Sequence, residues 1–277
     1  MSSDDDSTPT IFYLSLNYNG GPTIIFLHGL CSSHTEYRNV FQDCSLYDHH
    51  ILAVDLPGHS RSSHILPFSL SFAADQVARV IQQQAHDRRA HVVGSSLGGF
   101  VGQELAKRHP EVVESLLVTG AAPFAGYRRW FAEHPNVLYC LQAPVSKYSP
   151  SWVDTAICRW IGVQKPEGLR EQEKSNFSRQ LLVDGFRSIA QFTEKDLGSV
   201  HVRTLTIAGQ AQDDVEATRR MGELLRRECG ESKAAIVRAG AHTWHLQFPQ
   251  LFAKTVKAWI DGCRLPEGGM VLELRCQ

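Results

Sequence analysis

The chain has 277 residues, 43% of them hydrophobic and 21% charged, and its formal net charge is -1. This composition is typical of a soluble globular protein, and no stretch approaches the roughly 18 uncharged apolar residues that would span a bilayer. The near-neutral charge, with Lys and Arg scattered along the chain, also argues against a nucleic-acid partner.

The N-terminus and the cysteines indicate a cellular compartment. The opening sequence MSSDDDSTPT is acidic and polar, without the basic start and apolar run of a secretory signal. Seven cysteines, an odd number with no CxxC pair, are most simply reduced thiols. We therefore expect a cytoplasmic protein with no membrane insertion, and the sequence leaves its oligomeric state open.

Short apolar runs alternate with helical patterns along the chain. Residues 1–9 are predicted to be a disordered leader, because Ser, Asp, Thr and Pro offer nothing to pack. An antiparallel edge strand is predicted next, followed by buried strands, at 11–18, 23–27, 51–54, 91–93, 115–118, 204–208 and 234–237. This alternation predicts an α/β fold, with a mainly parallel sheet, helices on both faces and ligands at the carboxyl ends of the strands.

A long interval separates the strand that ends near Thr119 from the strand that begins near Arg203. Helix-start signals at Pro150 and Pro166 predict that this interval is a helical lid. Its aromatic side chains either face a substrate cavity or form the lid's own core. The predicted domain boundaries are 10–122 and 201–265 for the core, 123–200 for the lid and 266–277 for a C-terminal tail.

The strongest chemical signal is the sequence GSSLGG at 94–99, between the predicted strand at 91–93 and a helical pattern. Small neighbours allow a serine to sit on a strained strand-to-helix turn with its hydroxyl exposed, and the helix N-terminus then points at the same place. A flexible Gly/Ser loop is the alternative. Because a strand and a helix flank the motif, we predict that Ser96 is a nucleophile.

A nucleophilic serine needs a histidine base held by a carboxylate. His242 follows the last predicted strand in the sequence AGAH, which favours it as the base over His245, three residues further on. The carboxylate is expected after the strand at 204–208, where either Asp213 or Asp214 can serve. Either aspartate can instead be the N-cap of the next helix.

The oxyanion of an acyl-transfer reaction needs two backbone donors, one after the nucleophile and one after an early strand. The amides of Leu97 and Leu30 are the candidates, and Gly29 permits the bend that turns the Leu30 amide inward. Cys31 is then either a reactive thiol near the site or a small buried filler.

The order HGL, DLPGHSRS, GSSLGG, an aspartate after a glycine and AGAHTWHLQFP resembles the α/β-hydrolase superfamily, in its lid-bearing, esterase-like branch. The resemblance covers nearly the whole chain. It implies a lid between strands 6 and 7 of the fold, nucleophile Ser96, base His242, acid Asp213 and oxyanion amides at Leu30 and Leu97. It also implies that Asp55 forms a turn rather than acting in catalysis.

The loop after the strand at 204–208 departs from the family pattern. The family usually places its acid three residues after the glycine, at the position occupied here by Gln212, so the loop is slipped by one residue. This leaves Asp214 open as the alternative acid.

These residues together predict a cofactor-independent serine hydrolase that cleaves an ester, lactone or thioester of a medium-sized hydrophobic molecule through an acyl-enzyme. No metal is expected, because His49-His50 is an isolated pair and HExxH is absent. The alternative is a ligand-binding protein, or a cyclase or C–C bond-cleaving catalyst that uses the same pocket.

Overall fold

The computed structural model describes residues 10–266 and the backbone of 271–273. The predicted leader at 1–9 and most of the predicted tail lie outside the described residues. Within the described residues there are eight strands: β1 Tyr13–Leu16, β2 Gly21–Leu27, β3 His49–Val54, β4 Ala90–Ser95, β5 Val113–Thr119, β6 Thr204–Gly209, β7 Lys233–Val237 and β8 Val271–Glu273.

The strands form one sheet in the order β1-β3-β2-β4-β5-β6-β7-β8. Only the two edge strands run antiparallel, β1 against β3 and β8 against β7. The central strands are parallel and buried on both faces, which is why their sequences are continuous apolar runs. The predicted fold class and the predicted antiparallel edge strand are both confirmed.

Eleven α-helices occur in the described residues: α1 Leu70–Gln84, α2 Leu97–Arg108, α3 Gly126–Glu133, α4 Pro135–Tyr148, α5 Ser151–Ile161, α6 Leu169–Asn176, α7 Arg179–Gln191, α8 Glu194–Leu197, α9 Val215–Glu228, α10 Trp244–Gln247 and α11 Pro249–Ile260. One apolar core joins the sheet to α1, α2 and α9, and the other lies under α11. Neighbouring residues of β2 alternate between them, since Ile25 faces the first core and Phe26 the second. None of these helices combines the length and the apolar character needed to cross a membrane.

Helices α3 to α8 occupy the interval predicted as a lid. This interval lies between β5 and β6 of this chain. The lid was expected between strands 6 and 7, so its position differs from the expectation by one strand. Leu181 and Ile189 of α7 belong to the main core, whereas α4 and α5 carry no fully buried side chain except that of Pro135. The outer part of the interval, α3 to α6, therefore lies outside the main core.

Asn176, the last residue of α6, joins α6 to the core. Its side-chain amide donates to the carbonyls of Cys31 and Ser32, at 3.2 and 2.8 Å, and its carbonyl oxygen accepts from the Ser60 amide at 2.7 Å. The end of α6 is thereby held against the loops that follow β2 and β3.

Candidate active site

Ser96 lies on the sharp turn between β4 and α2. Its backbone has φ 51° and ψ -117°, in the left-handed half of conformational space that a residue with a side chain rarely adopts. A Cβ atom at Gly94 would lie 2.4 Å from the Gly98 carbonyl oxygen, and one at Gly98 would lie 2.1 Å from that of Leu27. The turn therefore requires glycine at both positions. It leaves Ser96 half-buried at the start of α2.

His242 and Asp213 meet at the carboxyl ends of β6 and β7. The His242 Nδ1 atom lies 2.5 Å from Asp213 Oδ1, and the carboxylate is almost fully buried while the imidazole is 35% exposed. The second oxygen, Asp213 Oδ2, accepts the Gly209 amide at 2.7 Å. These contacts fix the carboxylate and orient the imidazole with its Nε2 atom turned away from Asp213.

The end of β5 brings Ser96 and His242 to the same corner of the sheet. The Ser96 amide donates to the Thr119 carbonyl at 2.9 Å. The next residue, Gly120, has φ +63°, and a Cβ atom there would lie 2.6 Å from His242 Cε1. Gly120 thus makes room for the imidazole. Within the described part of the chain, the Ser96 hydroxyl has no hydrogen-bond partner, so the two side chains are neighbours rather than a bonded pair.

The one-residue slip before the acid is accommodated by Gln212. Its side-chain oxygen accepts the His242 amide at 2.9 Å, and its carbonyl accepts Arg128 Nη2 at 2.7 Å. Gln212 therefore supports the histidine loop, and the next residue supplies the carboxylate that meets the imidazole. Asp214 lies outside this arrangement. It is the N-cap of α9 and accepts the Ala217 amide at 2.9 Å.

The amides of Leu30 and Leu97 are available at the same end of the sheet. Leu97 is the first residue of α2, where helix amides lack intrahelical acceptors, and neither amide donates to an acceptor in the described residues. Leu30 lies within the loop that follows β2. Two buried histidines hold the peptides on either side of it.

The first histidine, His28, receives the Leu56 amide on Nε2 at 3.0 Å, so its proton is on Nδ1 and is donated to the Gly29 carbonyl at 2.8 Å. Because a trans peptide points its N–H opposite its C=O, this bond fixes the direction of the Leu30 amide. The second histidine, His59, accepts the Cys31 amide on Nε2 at 3.0 Å and donates to the Pro57 carbonyl at 2.9 Å.

Burial keeps both histidines neutral. It lowers the pKa of His28, against the opposing field of Asp55, and it lowers the pKa of His59 to about 3, with the nearby His28 adding to the effect. A neutral imidazole is needed here, because a protonated one cannot accept a backbone amide.

Glu36 links the Leu30 loop to the His242 segment. Its Oε2 atom accepts the Gly29 amide at 3.1 Å, and its Oε1 atom lies 2.7 Å from Nε2 of the fully buried His245. Burial alone would raise the pKa of Glu36, but His245, with smaller contributions from His28 and Ser32, lowers it to about 2. His245, the competing candidate base, thus lies in the core and faces a different carboxylate.

Two further residues named from the sequence occupy defined places. Burial raises the pKa of the Cys31 thiol to about 12, so the thiol is protonated at neutral pH. Asp55 accepts from the His34 amide at 2.8 Å and from the Arg61 amide at 3.2 Å, which braces the turn after β3. In the residues that the structure describes, no three His, Cys, Asp or Glu side chains are grouped as metal ligands.

A cavity of about 590 Å³ lies between the Leu30 loop and the helices α4 to α7. Its apolar lining comes mainly from three residues on α4 and α5 and three on α7 or just before it, namely Leu141, Val145, Ile157, Phe177, Leu182 and Phe186. Lys165 lies at its edge and is neutralised by Glu173 at 2.7 Å and Asp154 at 3.2 Å. A larger cavity of about 810 Å³ is lined by 154–171 alone, away from Ser96. Of the two cavities, the smaller is the one lined by Leu30, whose amide is a candidate oxyanion donor.

A model of the alpha/beta hydrolase family matches residues 24–255. The chain belongs to this family. An AB hydrolase superfamily protein of Gibberella zeae is 30% identical over 273 residues, covering 95% of this chain and 88% of its own. A pimeloyl-acyl-carrier-protein methyl ester esterase of Neisseria meningitidis is 28% identical over 232 residues, covering 76% and 83%.

Solved structures agree with this assignment at the level of the fold. A hydrolase from Pseudomonas aeruginosa superposes with a TM-score of 0.65 at 24% identity, covering 90% of this alpha/beta hydrolase and 93% of its own chain. The predicted family and fold are thus confirmed, and α/β-fold hydrolase is the enzyme class of the chain.

Sequence reasoning missed four residues that shape the site. Gly120, Gln212, Glu36 and His59 each act through a partner distant in sequence. Gly120 directly follows β5, Gln212 lies in the loop after β6, and His59 lies in the quoted DLPGHSRS motif, whereas Glu36 carries no local signal.

Proposed function

We propose that this alpha/beta hydrolase is a serine hydrolase that cleaves an ester, lactone or thioester of a medium-sized hydrophobic molecule through an acyl-enzyme. The observation that carries the proposal is the Asp213–His242 contact, which lies against Gly120 beside the strained Ser96 turn. A buried carboxylate, an exposed imidazole and a serine at the start of a helix are the three groups that nucleophilic acyl transfer requires.

In the first half-reaction the Ser96 hydroxyl attacks the acyl carbon and His242 Nε2 takes its proton. Asp213 accepts the Nδ1–H of the imidazolium and stabilises its charge without itself becoming protonated. This step requires the Ser96 hydroxyl to come within hydrogen-bond reach of His242 Nε2. Such contacts are often loose until the substrate is bound.

The amides of Leu30 and Leu97 stabilise the negative oxygen of the tetrahedral intermediate. Loss of one such donor typically costs about 10²–10³ in rate. His242 then gives its proton to the leaving alcohol or thiol. Water, deprotonated by the same imidazole, attacks the acyl-enzyme and releases the acid.

The cavity supports a hydrophobic substrate. About 590 Å³ is within the range of pockets for small organic ligands, and apolar side chains from Leu30, α4, α5 and α7 form a large part of its lining. The relative from Neisseria meningitidis is named as a methyl ester esterase. Carboxylic esters are therefore the first substrate class to test.

Replacing Ser96 by Ala tests the proposal. We expect kcat/KM on a chromogenic ester to fall about 10⁴-fold or more, because the triad acts as a unit. Ser95→Ala is the matched control, since Ser95 is the adjacent serine of the same turn and ends β4. Activity should stay near the wild-type value in that variant. Unchanged activity in Ser96→Ala would disprove the nucleophile.

A fluorophosphonate probe separates the proposal from its alternatives. Mass spectrometry should locate the adduct on Ser96, as expected for an activated serine. Failure to label would instead favour a ligand-binding protein. Because a C–C bond-cleaving enzyme would also be labelled, product analysis must show an acid and an alcohol or thiol.

A further inference from the structure

Helices α4 and α5 carry a continuous set of exposed apolar side chains, which we call the lid face. On α4 they recur at helical spacing along one stripe, and with those on α5 they are Val137, Leu141, Val145, Tyr148, Trp152, Ile157 and Trp160. Trp160 is 87% exposed, Tyr148 79% and Trp152 72%. Water-exposed apolar surface of this extent marks an interaction site, because it is costly to leave in solvent.

The exposed charges of α4 and α5 have one sign. Lys147 and Arg159 are the exposed charged residues of these helices. Asp154, their single acidic residue, is half-buried and bonded to Lys165 at 3.2 Å. The lid face is thus apolar and aromatic, with a positive border.

We propose that the lid face docks this enzyme on an anionic phospholipid bilayer. Trp and Tyr favour the boundary between headgroups and acyl chains, and Lys and Arg attract anionic lipid at the same depth. A second copy of the chain is a poorer occupant. A two-fold pairing of this face would bring Lys147 and Arg159 of both copies together without an exposed acid from α4 or α5 between them.

The lid face is continuous with the cavity beside Leu30. Leu141, Val145 and Ile157 are exposed on the lid face, and they also line that cavity. An acyl chain that leaves the bilayer would therefore stay in apolar contact as far as the Leu30 loop. This step rests on the proposed function. The substrates of this enzyme would then be acyl esters that partition into membranes.

The native tryptophans report docking directly. Trp152 and Trp160 lie on the lid face and Trp130 beside it on α3, whereas Trp244 and Trp259 are buried in the core. With phosphatidylcholine vesicles that contain phosphatidylglycerol, we expect a blue shift of tryptophan emission and co-sedimentation. Both should weaken as salt is raised. Vesicles of phosphatidylcholine alone should bind less protein.

The double variant Trp152→Ser/Trp160→Ser should partition into these vesicles on the order of tenfold less strongly, because two large apolar groups are lost from the contact. Tyr47→Ser is the matched control, since Tyr47 is 58% exposed on a core loop. Neither variant should change hydrolysis of a short-chain soluble ester. Lys147→Glu/Arg159→Glu should abolish the preference for phosphatidylglycerol.

Two outcomes would overturn docking. One is the absence of vesicle binding at low salt. The other is a dimer in analytical ultracentrifugation that shields the lid tryptophans without lipid. Binding is measured with Ser96→Ala, which cannot turn over, so failed docking and failed catalysis are read separately. If wild-type enzyme cleaves the soluble ester but ignores vesicles, only the docking proposal falls.

Discussion

His28 and His59 clamp the same residue from opposite sides. Each imidazole accepts a backbone N–H from the loop that carries the other histidine and donates to a carbonyl of its own loop. The two ring centroids are 4.8 Å apart. The peptides before and after Leu30 are both held in this way. The direction of the Leu30 amide, a proposed oxyanion donor, therefore depends on the imidazoles of His28 and His59 remaining neutral.

Acid should destabilise the protein through this clamp. His59 has a pKa of about 3 in the folded state and an ordinary value of 6.5 when unfolded, so the unfolded chain binds the proton more readily. Its stabilising contribution is complete above pH 6.5 and is lost as the pH falls from there toward 3. Thermal unfolding followed by circular dichroism should show a falling Tm across this range.

His59→Gln isolates that contribution. Glutamine can still donate and accept but does not titrate, so we expect a lower Tm at neutral pH and a shallower fall on acidification. His91, whose pKa burial lowers to about 4, remains in the variant and contributes with the same sign. If Tm fell as steeply on acidification in His59→Gln as in the wild type, titration of His59 would not contribute to the loss of stability in acid.

Asp213 and Asp214 should differ sharply when each is changed to Asn. Asp213→Asn removes the charge opposite His242 Nδ1 and should lower kcat by about 10⁴-fold. Asp214→Asn keeps an N-cap on α9, because Asn caps as well as Asp, and should leave kcat and Tm nearly unchanged. The reverse ranking in steady-state kinetics would assign the acid to Asp214.

Gly120→Ala should damage catalysis more than folding. The new Cβ would lie 2.6 Å from His242 Cε1, and displacement of the imidazole by about 1 Å is enough to cost on the order of 10²-fold in kcat. Gly126→Ala is the control, because Gly126 also has a positive φ but has no atom within 4 Å of the added Cβ. Both variants carry a similar backbone strain of about 1–2 kcal/mol. Equal activities would contradict the steric role of Gly120.

Cys31 should resist alkylation in the folded enzyme. Burial raises its pKa to about 12, and the thiolate is the reactive form. Cys44, Cys140 and Cys263 are exposed and should react with iodoacetamide at about pH 8. Peptide mass mapping before and after denaturation checks this. Rapid labelling of Cys31 in the native protein would indicate the reactive-thiol alternative.

The sheet and the serine turn could be predicted because their signals are local. GSSLGG specifies its own turn through close contacts of Gly94 and Gly98, and the apolar runs reflect strands buried on both faces. The Pro150 signal likewise predicts the start of α5 to within one residue. Local chemistry was sufficient in each case.

The supporting residues could not be predicted because their partners are remote in sequence. Nothing near Glu36 indicates that its carboxylate faces His245 and the Gly29 amide. In the sequence, Gln212 occupies the position where the family usually has its acid. Its actual contact with the His242 amide depends on how the loop after β6 folds against the loop after β7.

Glu36 has a consequence for chimeras made by recombining this enzyme with relatives. Its carboxylate contacts Gly29 in the first part of the chain and His245 near the end. A single crossover between Glu36 and His245 would therefore pair a Glu36 from one parent with the residue at position 245 of the other. A mismatch would leave a buried charge without its partner, which typically costs 3–5 kcal/mol. Recombinants that inherit both Glu36 and His245 from one parent should fold, whatever the origin of the segment from α3 to α8 between them.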